Sequence, residues 1–250
     1  MEEKKKRVLL EVAYDGTAYH GWQLQPESIT VEKVLNDTLS ALLKEDIKVI
    51  GASRTDAGVH AYGNIAVFDT AARIPGEKIS YALNQKLPED IRIQKSAEVA
   101  PDFHPRKCDS RKTYEYRILN TEFPLPTKRL YSHWTYVPLE VEKMQEAAQV
   151  LIGEHDFTSF CSVNSQAESP VRTVYDLTVR REGENEIVIR VTGNGFLYNM
   201  VRIIAGTLME AGRGRLSAAN VKEILEAKDR SMAGPTAPAC GLTLVKYEFL

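Results

Sequence analysis

The apolar residues of positions 7–99 alternate between two spacings in a fixed order, and that order limits the folds available. Arg7–Tyr14 reads as a strand. Thr30 is then placed to cap a helix whose Val31, Val34, Leu35, Leu39, Leu42 and Leu43 share one face. Ile47–Ala52 and Asn64–Asp69 read as two further strands, with a glycine-rich stretch between them. Ile79, Leu83 and Leu87 mark a second helix stopped by Pro88, and Ile91–Val99 is a fourth strand. The order is β-α-β-β-α-β, that of a ferredoxin-like, or RRM-like, unit.

The second half repeats that order loosely, with no sequence repeat. Thr113–Leu119 reads as a strand paired with Tyr131–Tyr136, and Val141, Met144, Ala148 and Leu151 mark a helix. Val174–Val179 and Ile187–Val191 form a hairpin around Glu182–Gly183. A helix over Leu197–Ala211, another capped by Ser217 and a closing strand Leu242–Phe249 complete it. The expected fold is therefore α+β, two ferredoxin-like halves around a central cleft. Pro101 and Pro105 set the boundary, giving domains 1–103 and 104–250.

Composition excludes some functions. Hydrophobic residues are 43% and charged residues 26%, the balance of a soluble folded chain. Net charge is -2, so a nucleic-acid partner would have to be held by local basic surface. Cys108, Cys161 and Cys240 are far apart, with no zinc spacing, and read as reduced thiols. Glu11 breaks the first apolar run and Arg202 lies in the longest one, which argues against a signal peptide and a membrane span. The expected location is the cytoplasm.

Three clusters carry the chemistry. GASRTDAGVHAYGN, residues 51–64, sets Arg54, Asp56 and His60 among three glycines between strands. Spacing alone favours an Asx-type turn with a surface ion pair there. RKTYEYR, residues 111–117, puts Lys112, Tyr114 and Tyr116 on one strand face and Arg111, Thr113, Glu115 and Arg117 on the other. Basic and aromatic strand faces stack single-stranded RNA, and an ordinary core strand is the strong competitor. From His104 to Tyr131 seven Lys or Arg stand against three Asp or Glu. In GNGFLYNMVRIIAG, residues 193–206, Arg202 sits in an apolar helix and needs an anion such as Asp56 unless it reaches solvent. Gly193 and Gly195 lack the third glycine of a dinucleotide site. Gly212–Arg215 reads as a helix stop with exposed arginines.

Taken in order, YDGTAYHGWQLQP, ASRTDAGVHA, FHPRKCDSRKTYEYRI, DFTSF, GFLYNMVRIIAGTLMEAGRG and PTAPACGLTLVKYEF make the chain resemble the tRNA pseudouridine synthase A family along its whole length. The resemblance implies one pseudouridine-synthase fold made of the two halves, and a homodimer acting on the tRNA anticodon stem-loop at positions 38, 39 and 40. It implies no metal, nucleotide or organic cofactor. It implies that Asp56 is the catalytic aspartate, Tyr114 the tyrosine against the target base, and Arg202 the partner of the aspartate. Leu242 then lines the uracil pocket and Arg54 helps hold the nucleotide out. Cys161 stands where some relatives carry arginine, which leaves Arg172 or another basic residue to make that RNA contact. Two rival readings remain open. A non-catalytic protein of two RRM-like halves needs the aromatics but not Arg54, Asp56 and Arg202. A glycosidic hydrolase needs a second carboxylate, which the Asp56 motif does not offer.

Overall fold

The computed structural model describes residues 5–163 and 167–250, and they are mixed α and β. Contacts divide them into two compact units. One holds the described residues up to Asp109 together with Leu244–Leu250; the other holds Ser110–Thr243.

In the first unit β1 (Lys6–Tyr14) is central. It runs antiparallel to β3 (His60–Thr70), with Leu10 opposite Ala66, and to β4 (Ile91–Val99), with Leu10 opposite Ser96. Strict alternation along β1 buries Val8, Leu10, Val12 and Tyr14. Helix α1 (Val31–Leu43) lays Val31, Leu35 and Leu39 into the core, and the Thr30 hydroxyl accepts the Lys33 amide at 3.3 Å. β1, α1 and β4 agree with the sequence reading, whereas β3 starts at His60 rather than Asn64, because Tyr14 still pairs with Ala61 beyond a bulge in β1.

Two further boundaries differ, each for a local reason. Strand β2 is only Ile50–Gly51, paired with Val67–Ala66 of β3. Residues ahead of it spend their amides on α1 instead: Ile47 N donates to Ser40 Oγ at 2.9 Å and Val49 N to Asn36 Oδ1 at 2.8 Å. Helix α2 (Gly76–Asn84) ends before Leu87 because Asn84 is clamped to β4. Its Nδ2 donates to Ile93 O at 2.9 Å and its Oδ1 accepts from Ile93 N at 2.8 Å.

The second unit holds β5 (Ser110–Asn120), β6 (His133–Thr135), α3 (Val141–Gln149), β7 (Gly153–Asp156), β8 (Val171–Glu182), β9 (Glu186–Gly193), α4 (Met200–Gly212) and α5 (Ala218–Ala227). The strand order is β5-β9-β8-β7, with β6 parallel to β5. The hairpin turns at Gly183, whose φ of 62° suits glycine. Ser217 closes a capping box with Asn220. β7, sequence GEHD, has no apolar alternation and was not expected.

Helix α4 begins at Met200 rather than Leu197, since Asn199 takes a left-handed φ of 61° and sets the first turn. A Cβ at Gly206 would lie 1.8 Å from Pro235 O, so this glycine lets α4 meet the Pro235 backbone. The last strand, β10 (Leu242–Phe249), starts in the second unit and ends in the first, where it lies beside β3. Among the described residues no helix is long and apolar enough to cross a membrane.

Candidate active site

The Asp56 loop is a hydrogen-bonded turn. The Val59 amide donates to Asp56 O at 3.2 Å, and Gly58 takes a φ of 78°. Thr55 is buried, while Arg54 is exposed and Asp56 half-buried. Thr55 is held on both sides. Its hydroxyl lies 2.7 Å from Tyr14 Oη, and its carbonyl accepts the Trp22 amide at 3.0 Å. Burial pushes the Tyr14 phenol far above its ordinary range, so it stays protonated. Asn64 pins Ser53 by accepting its amide at 3.2 Å and donating to its carbonyl at 2.9 Å.

The segment Gly16–Trp22 braces the loop from outside, a role that the sequence reading did not assign to its glycines. A Cβ at Gly16 would lie 2.0 Å from Val59 O. One at Gly21, where φ is 86°, would lie 2.6 Å from Thr55 O and 3.1 Å from Asp56 C. Gly58 N also donates to Tyr19 O at 3.2 Å. His60 is buried, and its Nδ1 accepts the Gly16 amide at 3.1 Å. The YDGTAYHGW motif is thus the scaffold of the Asp56 turn.

The remaining expected residues lie in the second unit. Tyr114 on β5 faces Val191 of β9, is 8% exposed, and meets Phe196 edge-to-face at 5.3 Å. Arg202 is in the first turn of α4. Its Nε donates to Ala237 O and its Nη1 to Asn199 Oδ1, both at 2.7 Å, while Ala237 N returns a bond to Arg202 O at 3.1 Å. Neutral acceptors therefore supply part of what this half-buried cation needs. Asn199, not singled out from sequence, also donates to Ser162 Oγ at 2.9 Å.

Leu242 is buried. It follows Gly241, where a Cβ would lie 2.8 Å from the Tyr116 ring. Arg172 is half-buried and donates to Ser169 O at 2.8 Å and Val171 O at 2.6 Å. Burial holds its pKa below the ordinary guanidinium value. Cys161 lines a cavity of about 300 Å³ with Thr158, Val163, Pro170, Leu197 and Arg230, so a basic residue other than Arg172 stands in the same wall.

The aromatic strand face largely belongs to the core. Tyr116 is fully buried, with its hydroxyl donating to Pro238 O at 2.8 Å. On the opposite face Glu115 binds Arg190 at 2.6 Å and Arg117 at 3.0 Å. Arg117 also reaches Glu182 at 2.8 Å, and Lys128 reaches Glu186 at 2.6 Å. Arg106 donates to Gly51 O at 2.8 Å. Much of the basic stretch 104–131 is thus committed within the protein.

The family described as tRNA pseudouridine synthase matches residues 11–106 and 147–249, which include Arg54, Asp56, Arg172, Arg202 and Leu242. Similar curated proteins carry the name tRNA pseudouridine synthase A. That of Thermoanaerobacter sp. (strain X514) is 48% identical over 241 residues, 96% of this chain and 98% of the relative. That of Ruminiclostridium cellulolyticum is 48% identical over 244 residues, 98% of this chain and 100% of the relative. The Brevibacillus brevis protein is 48% identical over 239 residues, 96% of this chain and 98% of the relative. With Asp56 in its braced turn and near full-length identity to these proteins, the chain belongs to the tRNA pseudouridine synthase family.

Proposed function

We propose that this chain isomerises uridine to pseudouridine in tRNA, at positions 38, 39 and 40 of the anticodon stem-loop. The observation that carries the reading is Asp56, a half-buried carboxylate in a turn fixed from two sides, within a segment matching the family. The reaction breaks the bond from uracil N1 to ribose C1′, turns the base and joins C5 to C1′. The C5 proton leaves and a proton enters at N1, so the change is an isomerisation with no net redox step. Attack at C1′, attack at C6 and removal of a ribose proton to give a glycal all start from an ionised carboxylate. Asp56 supplies it. Taking the target uridine out of its stack costs a few kcal/mol. Tyr114 stacks on the freed base, Leu242 packs on the uracil, Arg54 holds the nucleotide out, and Arg172 contacts the phosphates.

The element order β-α-β-β-α-β of the first unit supports reading that unit as a ferredoxin-like half, and the second is proposed as its counterpart. The enzyme acts as a homodimer in the cytoplasm without a cofactor. The test uses tRNA transcript tritiated at uracil C5. The protein should release one tritium to water for each uridine converted. Tight tRNA binding with no release would instead favour a non-catalytic RNA-binding protein.

A further inference from the structure

Of the six arginines on β5, β8 and β9 of the second unit, three are committed to carboxylates, while Arg172 and Arg181 donate to backbone carbonyls. Arg117, Arg180 and Arg190 share Glu115, Glu182 and Glu186. Arg111, the second residue of β5, is different. Among the described residues no carboxylate lies within ion-pair distance of it. Its guanidinium rests instead over the ring of Tyr175, 4.9 Å from the centroid. Both residues are exposed, Tyr175 to 40%. The guanidinium is restrained by the ring without spending its N–H groups on a counter-charge, so those donors stay available to an anion.

Local architecture builds this pair deliberately. The register of β8 on β9 slips between Val174 and Asp176, which makes Tyr175 the extra residue of a bulge. Bulges re-aim a side chain. Its base is locked, because Thr173 N donates to Asn194 Oδ1 at 3.0 Å and Asn194 N to Thr173 O at 3.1 Å. Gly193 permits that approach, since a Cβ there would lie 2.9 Å from Thr173 O. The pair also stands at a telling end of the sheet. Lys112, Gly193 and Val174 form one row across the three strands. From that row the chain runs on to Phe196, which packs on Tyr114, and then to Asn199 and Arg202. Asp176, the neighbouring acid on this rim, is exposed.

We propose that Arg111 and Tyr175 form a platform for tRNA, on which one unpaired nucleobase stacks while the guanidinium donates to its phosphate. The inference rests on the tRNA-modifying reading above and adds two substrate-binding residues to it. Stacking on an aromatic or guanidinium plane is how proteins hold unpaired bases, and each phosphate contact adds a unit to the salt dependence of binding.

The test uses Tyr175→Ala, Tyr175→Phe and Arg111→Gln with unmodified tRNA transcript. Tyr175→Ala should raise the KM for tritium release about tenfold. Its kcat and melting temperature should hold, and Tyr175→Phe should restore the KM. Arg111→Gln should lower the slope of log Kd against log salt by about one. A purely structural role for the pair would lower the melting temperature and leave the salt slope unchanged. Wild-type KM and wild-type salt slope in the variants would overturn the platform while leaving the isomerase reading intact. The binding measurements need no turnover, so they judge the platform even if the wild-type protein released no tritium, a result that would strike the isomerase reading alone.

Discussion

At the scale of single residues the proposed chemistry rests on Asp56 and Tyr114. Asp56→Asn keeps the shape of the side chain and removes its charge. We expect product formation to vanish while fold and tRNA affinity persist, because phosphate contacts elsewhere dominate binding. Tritium release and circular dichroism check this, and turnover by an Asn variant shown by mass to be free of deamidation would refute the assignment. Tyr114 offers a ring and a hydroxyl. Tyr114→Phe should lose much of the rate yet retain some stacking on the base, and Tyr114→Leu should lose both. Full activity in the Phe variant would remove the hydroxyl from the mechanism. Motifs in the sequence single out such residues as candidates, but their settings were not legible there. A strand pattern puts Tyr114 and Tyr116 on one face without saying that Tyr116 is fully buried under the Pro238 carbonyl. Nor does an arginine in an apolar helix announce that Ala237 O and Asn199 Oδ1 take two of its donors.

At the scale of elements, spacing predicted what repeats and missed what is fixed by single contacts. Alternation gave β1, and the apolar stripe with Thr30 gave α1. The shortening of β2 to two residues depends on Ser40 and Asn36 capturing strand amides, and no periodicity carries that. The left-handed Asn199 that delays α4 is equally silent. The brace around the Asp56 turn is the functional case, and it makes a prediction. Gly21→Ala forces a methyl toward Thr55 O, 2.6 Å from the ideal Cβ, in a backbone conformation that alanine resists. Displacing the Asp56 turn by even a fraction of an ångström should cut the rate at least about tenfold. Binding to tRNA should change little, as read by gel shift beside the rate assay. An unchanged rate would mean that the Gly16–Trp22 segment does not set the position of Asp56.

For the whole molecule, acid is the informative stress. Arg7 holds the Asp69 carboxyl below its ordinary range, Thr158 and then Lys228 do so for Asp156, and Arg117 and then Arg180 for Glu182. Groups depressed on folding stabilise the protein above their unfolded values of about 4, and that stability fades as pH falls through the lower folded values. Burial, then the nearby Arg213, lowers the His133 pKa, so the unfolded chain takes up that proton first. Its contribution starts to fade below about pH 6.5. Melting temperature should therefore decline gently from pH 6.5 and more steeply below pH 4. A His133→Gln variant should lack the first part of the decline, and its persistence would exclude His133 as the source. A chain of net charge -2 must gather its basic patches to hold an anionic stem-loop, and an isologous dimer doubles each of them. Light scattering at micromolar concentration should give about twice the chain mass of 28.1 kDa. A single-chain mass alongside full activity would end the dimer proposal. Finally, the first unit takes residues from both ends of the described chain, since Leu244–Leu250 returns to it. During synthesis that unit therefore waits for the ribosome to translate the whole second unit before β10 can settle beside β3. Until then the nascent chain carries an unfinished sheet, so the half that bears Asp56 is the last to mature although it is the first to be made.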